Sequence, residues 1–508
     1  MIRITTENSV ARVAAASEAC RWYAHSPSAK PSALPMPPGR EAISDFGFRI
    51  ADCRHRSNPQ SAIRDPQSGT VLIVTIWVVL VLAGLALVFA RSMRVAAAVS
   101  ANHVASLQAE CIAGGALEYL VAELSASTQE QGTSSQTTDS YAALQVGQGY
   151  FWILRSNLES DREFDYGLAN ESNKINLNSA SQEMLQRLPG MTAELAASII
   201  DWRDSDSEVT TGGAEDEYYL LQPKPYHCKN APLETVDEIL LIKGASEELL
   251  YGEDTNLNGV LDDCENDGDL SDPPDNRNGR LDAGFYDYVT VYSVEANVDS
   301  QGSARINIDS ATARASLQSA LQKVVSADRA LEIMGQVSTV ANYTNVIDFY
   351  FRTGMKPEEF SQIADQLTTS SEQTLPGLVN VNTAPKAVLL CLPGLEESDV
   401  EVLLSYRSAN SDKLTSIAWV AQALDRAKAV GIGSYITVRS YQYSADIVCL
   451  SGNGRAYKRY KAVIDTQETT PRVVYWKTLT RFGWPLDPQI VAALRKGEPL
   501  TSVVLSVN

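Results

Sequence analysis

Thr70 to Ala90 is a run of twenty-one residues without a charge, TVLIVTIWVVLVLAGLALVFA, and no proline interrupts the chain from there to Leu124. At about 1.5 Å of rise per helical residue, such a run spans the hydrocarbon of a bilayer. Nothing breaks the helix beyond Ala90, so the sequence predicts one rod that begins apolar on every side and becomes amphipathic. Past Arg91, the residues Val95, Val99, Leu107 and Cys111 recur at multiples of four, the spacing of one apolar helix face. Any fold for this chain has to be built around that rod.

The 69 residues ahead of it hold nine Lys/Arg and six Asp/Glu, with proline clusters at PSALPMPP and NPQSAIRDPQSG, and no periodicity that would fold. They read as a leader ending at Gly69, either an extended one or the product of an upstream start, and are set aside from fold reasoning. Arg54, Arg56 and Arg64 before the span outweigh Arg91 and Arg94 after it, which places the N-terminal side inside.

Without the leader, 33 Lys+Arg face 56 Asp+Glu, a net charge near −23. Such a surface repels nucleic acid and anionic lipid and attracts cations. Roughly 440 residues exceed one core, so two or three domains are expected. Five cysteines remain (Cys111, Cys228, Cys264, Cys391, Cys449), an odd number without a CxxC, which argues against a zinc ribbon or a thioredoxin site. In a periplasmic domain they could form one or two disulfides.

Residues 125–146 are rich in Ser, Thr and Gln and read as a loop. Strands are expected at 149–156 (GYFWILRS), 286–296, 303–309, 443–450 and 456–465. Helical blocks at 176–250 and 310–428 separate them, which makes the fold α+β.

The two blocks share a repeat. Ile175 opens INLNSASQEMLQRLPG and Val379 opens VNVNTAPKAVLLCLPG; each is followed by a second helix closing on an aromatic residue and arginine, Trp202–Arg203 and Tyr406–Arg407. Asn178 and Asn382 are expected to lead into the first helices, and Pro189–Gly190 and Pro393–Gly394 to make the turns, giving helix-hairpin-helix (SAM-like) units. The DNA-binding form of this unit carries a second glycine that exposes amides to phosphate. Here Thr192 and Glu396 take that place, and Glu396–Glu397 would set two carboxylates against a phosphate, so packing and protein interaction are expected instead of nucleic acid.

Asp254-Thr-Asn256-Leu-Asn258-Gly259-Val260-Leu-Asp262-Asp-Cys-Glu265 fits a twelve-residue calcium loop. Oxygen ligands stand at positions 1, 3, 5 and 9, glycine at 6 and glutamate at 12, and the Val260 carbonyl serves position 7. A degraded copy follows, with Asp275, Asn276, Asn278 and Asp282 as its oxygen donors. Its first position is Pro274 and its twelfth Phe285, so Asp275 or Asp272 would have to stand in. One or two calcium ions are expected. Catalysis finds little support: His227 is the one histidine in a distal folded region, its neighbour Cys228 cannot share its strand face, and GxSxG, HExxH and Walker A patterns do not occur.

These residues together resemble the type II secretion minor pseudopilin K family. A glycine ahead of an apolar helix that becomes a spine is a type IV pilin-like layout. The likeness is densest at KINLNSASQEMLQRLPG (174–190), DWRDSDS (201–207), GGAEDEYYL (212–220), PYHCKNAPLETVDEILLIKG (225–244) and YDYVTVYS (286–293). The resemblance implies a long N-terminal helix on an antiparallel sheet that carries a large calcium-binding helical insertion. It implies cleavage by prepilin peptidase between Gly69 and Thr70 and a single-pass place in the bacterial inner membrane, with the C-terminal domain in the periplasm. It also implies a tip position, without enzymatic activity, alongside the other minor pseudopilins and the major pseudopilin. Major subunits of such filaments carry glutamate at the fifth mature position, which pairs with a neighbour's N-terminal amine; here that position is Val74. A subunit with none ahead of it is better without a buried carboxylate. The alternative is a membrane-tethered helix-hairpin-helix DNA receptor. The expected division is 1–69 leader, 70–90 span, 91–174 spine and first strands, 175–285 calcium-bearing insertion, 286–309 pilin-like strands, 310–428 second block and 429–508 C-terminal strands and tail. The leader, the 254–283 segment and the second block depart from the family pattern.

Overall fold

The computed structural model describes residues 67–129, 141–158, 164–268, 270, 273–338, 342–498 and 500. Residues 1–66 of the expected leader, Asp272 and the last residues lie outside them. Among the described residues the chain divides into two units, a smaller one ending at Val104 and a larger one beginning at Ala105.

One helix, α1 (Gln67–Gln129), runs through the span and the predicted spine. Gly69, Thr70 and Val74 all lie in it, so its start precedes the expected cleavage point. In the first unit its apolar side chains from Val71 to Phe89 are exposed, a surface suited to lipid. It is the one helix among the described residues long and apolar enough to cross a membrane.

In the second unit the same helix packs on a sheet, but not through the face the sequence suggested. Ala105, Ala109, Ile112, Ala113, Ala116, Leu120 and Leu124 are buried. Leu107 and Cys111 are exposed, and so are Val95 and Val99 in the first unit. Small side chains let the backbone approach the sheet closely, so the alanine stripe wins over the more hydrophobic one. At Gly149 a Cβ would stand 2.3 Å from Ile112 Cδ1 and 2.6 Å from the Leu450 carbonyl oxygen.

The sheet contains β1 (Leu144–Val146), β2 (Gly149–Ser156), β3 (Phe164–Tyr166), β4 (Ala169–Asn170), β5 (Gln442–Leu450), β6 (Tyr457–Asp465) and β7 (Arg472–Thr478). All pairings are antiparallel in the order β1-β2-β5-β6-β7, with β3 on β2 and β4 on β5. Strand alternation sorts the core: Phe151, Ile153, Ala445, Ile447, Cys449, Ala462 and Ile464 meet α1. On the opposite face Trp152, Leu154, Val448 and Leu450 meet Leu486, Ile490 and Leu494 around a C-terminal helix, Pro488–Lys496. β1 falls in the predicted loop, and β7 and the C-terminal helix were not foreseen.

Everything between β4 and β5 is one inserted block, and the strands predicted at 286–309 belong to it, not to the sheet. They reduce to two- and three-residue pieces that pair with other parts of the insertion. Ile175–Asn176 lies parallel to Val289–Thr290, Ile306–Asn307 to Leu367–Thr368, and Val379–Asn380 to Ile436–Thr437. Each first strand is followed by the same turn, in which Asn176, Asn307 and Asn380 accept from the amides of Asn178, Asp309 and Asn382. Each second strand ends with its threonine hydroxyl accepting from an amide two residues on, at Tyr292, Ser370 and Arg439. The insertion is therefore built on three tandem modules. The middle one, INIDSA from Ile306, lacks the LPG turn that betrays the other two in the sequence.

In the outer modules α2 (Gln182–Gln186) and α3 (Ala193–Arg203) match α4 (Lys386–Leu390) and α5 (Glu397–Ala409). Gly190 and Gly394 take φ of +71° and +72° at the turns, where glycine is needed. Ser181 and Pro385 hold the cap positions expected of Asn178 and Asn382, whose side chains bind the Leu233 and Leu414 carbonyls. Arg203 donates to the carbonyls of Leu177 and Ala180, and Arg407 to those of Val381 and Ala384, so each repeat's arginine closes its own strand end. Both outer modules share one core.

Candidate metal centres

The loop from Asp254 follows a short helix, Glu247–Tyr251, and folds back on its own first carboxylate. Asp254 accepts from the amides of Asn258 (3.1 Å) and Gly259 (2.8 Å). Glu265 crosses to the start of the loop and accepts from Thr255 N at 2.8 Å and Asp262 N at 3.1 Å. The amide groups of Asn256 and Asn258 both turn toward Asp262 Oδ2, at 2.6 and 3.2 Å. Positions 1, 3, 5, 9 and 12 are thus drawn together, and Asp254, Asn258 and Glu265 are each at most 5% exposed. For Val260 the structure records its amide, donating to Asn258 Oδ1 at 2.7 Å.

Two features fit a cation. Asn256 Oδ1 is buried without a hydrogen-bond partner. Burial, then the Glu265 carboxylate, push the Asp254 carboxyl up to about 7, and burial raises Glu265 as well. Crowded, buried carboxylates are what a hard divalent ion relieves.

The second loop repeats the pattern in part. Asn276 and Asn278 donate to Asp282 Oδ2, the latter at 2.9 Å, as their counterparts do to Asp262. Leu257 and Arg277, at equivalent positions, have φ of 54° and 61°. Asp275 accepts from Gly268 N and Arg277 N, much as Asp254 accepts from the amides of its own loop. Phe285 is buried in the core. The carboxylate that reaches this loop is Glu253, which accepts from Asp282 N at 3.3 Å, as Glu265 does from Asp262 N. Sequence spacing could not show this, since Glu253 precedes the first loop.

A third cluster was missed. Ligand atoms of Asp204, Asp206 and Glu215 lie within 4.8 Å of one another. Asp204 caps the C-terminus of α3, and Glu215 stands at the start of the helix Asp216–Tyr219. Asp204 Oδ1 and both oxygens of Glu215, a residue 3% exposed, are buried without a partner. Burial raises both carboxyls, with Asp206 and Asp201 adding repulsion. A Cβ at Gly213 would overlap the Asp201 carboxylate, so glycine there leaves room for the acidic group. Its residues stand in the sequence as DWRDSDS followed by GGAE, a spacing that matches no metal motif by itself.

The hairpin turns offer little to a phosphate. Thr192 Oγ1 already accepts from Leu195 N, Asp399 accepts from Glu396 N, and Lys386 is paired with Glu397 and Glu401. His227 lies 2.9 Å from Asp216, and burial pushes the Cys228 thiol up to about 12. All five cysteines of the described residues are free thiols.

Residues 165–251 match the family model described as type II secretion system (T2SS), protein K. The curated type II secretion system protein K of Klebsiella pneumoniae is 37% identical over 67 residues, 13% of this chain and 21% of that protein. The chain thus aligns with about a fifth of the length of that relative. Among solved structures, the GspK-GspI-GspJ complex from the enterotoxigenic Escherichia coli type 2 secretion system matches with a TM-score of 0.37 at 12% identity, over 73% of this chain and 96% of that one. One of the three acidic groups, Asp204 with Asp206 and Glu215, falls inside the matched residues along with α2 and α3. Over residues 165–251 the chain is therefore similar to the type II secretion system protein K family.

Proposed function

We propose that this chain is a minor pseudopilin at the tip of a type II secretion pseudopilus, where it starts or caps assembly for protein export across the outer membrane. The supporting observation is where the family domain sits: it opens a block inserted into an antiparallel sheet whose other strands pack on the helix that carries the apolar span. In this reading Thr70–Ala90 anchors the chain in the inner membrane, prepilin peptidase cuts after Gly69, and the larger domain works in the periplasm. Its partners are the other minor pseudopilins and the major pseudopilin, and its inserted hairpin modules serve packing and protein contact, not DNA or catalysis.

Calcium completes the domain in this reading. Asp204, Asp206 and Glu215 would hold one ion, and Asp254, Asn256, Asn258, Val260, Asp262 and Glu265 another. Asn276, Asn278 and Asp282 with Glu253 form a weaker third place. Bound calcium supplies positive charge and accepts six to eight oxygen ligands at such sites. The chain's own residues supply the burial and the fixed turns.

Affinity purification of the tagged full chain from detergent-extracted membranes of its host tests the proposal. Recovery of the other minor pseudopilins, together with a secretion defect when the gene is deleted, is expected. Normal secretion in the deletion strain and no pseudopilin recovered would reject it.

A further inference from the structure

Arg459 lies on β6 with no exposed surface, in the face of the sheet turned toward the inserted block. A wholly buried guanidinium needs every donor placed. Asp446, on the neighbouring strand β5, takes Nε at 2.9 and 3.0 Å. Nη2 also donates to Asp446, and two further bonds leave the sheet: Nη1 donates to the carbonyl of Asn256, and Nη2 to that of Leu257 at 2.6 Å. Both carbonyls belong to the Asp254–Glu265 loop. They fall where the backbone is most constrained, since Leu257 holds φ at +54°, a region a branched side chain enters at a cost. Asn256 is the residue whose side-chain oxygen is left orphaned inside the loop.

The same loop holds a second anchor. Asn258 Nδ2 donates to the Pro485 carbonyl at 3.0 Å, just before the C-terminal helix whose Ile490 and Leu494 cover the sheet. Backbone bonds extend the junction, with Leu479 N donating to Arg459 O at 2.7 Å and Arg459 N to Thr480 Oγ1 at 3.0 Å. Loop, sheet and C-terminal segment therefore meet around one side chain.

We infer that Arg459 is a positioning residue for cation binding: by clamping the Asn256 and Leu257 carbonyls from the sheet, it holds the Asp254–Glu265 loop in its ligating shape. The loop's occupancy is in turn felt in the sheet and the C-terminal segment. The second half follows from the first, because a contact that favours the bound loop is itself favoured when the loop is bound. This inference rests on the calcium reading of that loop. Residues that orient metal ligands from outside typically change affinity by about 10–100-fold when replaced. Lysine keeps the charge beside Asp446 but cannot reach two carbonyls at once.

The test uses the detergent-solubilised full chain, titrated with calcium alone in a calorimeter and followed by hydrogen exchange with and without the ion. Arg459→Lys should weaken the site that Glu265→Gln abolishes by about 10-fold or more, and leave calcium binding at Asp204, Asp206 and Glu215 unchanged. Calcium should slow exchange at Arg459, Leu479 and 490–497 in the wild type and do so less in the variant. A merely structural role would lower the calcium-free melting temperature and weaken both sites alike, which overturns the inference. So would calcium protection confined to 254–265, with the calcium reading intact. No site in the wild type sensitive to Glu265→Gln would overturn both.

Discussion

Lys174 Nζ donates to Glu171 Oε1 at 2.7 Å where the inserted block leaves the sheet, and both side chains are less than a tenth exposed. Ser444 of β5 donates to the same oxygen at 2.6 Å, and Thr290 of the first module donates to the other. One carboxylate thus joins sheet, module and its own turn. Burial alone would raise Glu171, but the ammonium groups of Lys174 and Lys461 and these donors outweigh it and hold the carboxyl below its ordinary value of 4.5. The stability it contributes is full above pH 4.5, where both folded and unfolded chains are ionised. It falls away as the pH drops below that value, because the unfolded chain takes up the proton first. Melting temperatures between pH 6 and 3 should therefore fall less steeply for Glu171→Gln than for the wild type. Lys174→Met removes the ammonium bonded to Glu171, leaving Lys461 and the two hydroxyls, and should cost at most about 3–5 kcal/mol at neutral pH in denaturant unfolding. A wild-type acid slope in Glu171→Gln would refute the assignment.

The closest approach of α1 to the sheet gives a second expectation. A methyl at Gly149 would meet the Leu450 carbonyl, which is backbone and cannot swing aside. Gly149→Ala should destabilise the domain by about 1–3 kcal/mol through overpacking. Gly114, with open space around its Cβ position, should accept alanine with no loss. Paired thermal melts compare the two.

The parts of this fold that could be read from the sequence were those with a strong local period or a repeated motif. The span, β2, β5, β6 and both hairpins stood out because burial on one or both faces leaves runs such as YFWIL and ADIVCL. The burying face of α1 did not stand out. Ala105, Ala109 and Ala116 carry little hydrophobic weight, and what selects them is the space above β2 and β5, a long-range fact. Residues 286–309 look like strands because modules begin and end in short extended pieces, yet their partners lie dozens of residues away. The candidate metal centres divide the same way. A contiguous loop such as Asp254–Glu265 announces itself by spacing. Glu253 and the pair Asp204–Glu215 are brought to their places only by the fold, and the orphaned oxygens that mark the pair are visible only there.

Removing calcium should loosen the insertion. An extracytoplasmic site of this kind binds at about 10⁻⁴ to 10⁻³ M. At roughly 100 times the Kd, one ion adds about 2.7 kcal/mol to folding. Thermal melts of the full chain in detergent should rise with calcium and fall with chelator. Glu265→Ala should blunt that rise more than Asn256→Ala, since glutamate at position twelve supplies two oxygens. Glu215→Gln should blunt it independently, because its site is separate. Identical melting with and without the ion in the wild type would leave three acidic turns and no metal centre.

Processing gives a fourth expectation. Cleavage between Gly69 and Thr70 leaves Thr70 as the first residue of the membrane form, which N-terminal sequencing reads directly. A bulky residue, as in Gly69→Trp, should block the cut, whereas Gly69→Ala should be partly processed. An intact leader, or a first residue beyond Ala90, contradicts the pilin-like reading of α1.

Val74 then becomes the fifth residue of the processed chain, on a helix that carries no charge for sixteen positions beyond it. A carboxylate placed there has no cation within the span to meet, and insertion scales charge an acidic group at a helix centre about 2.5–3.5 kcal/mol. In a subunit with another ahead of it, a neighbour's terminal amine offsets that cost; at a tip nothing does. Val74→Glu should therefore insert and be cleaved, yet start fewer pseudopili or enter them behind another subunit. Counting pseudopili in a strain that overproduces the major pseudopilin, with order read by site-specific crosslinking, decides it. Wild-type numbers with the variant still leading would detach the tip position from this residue.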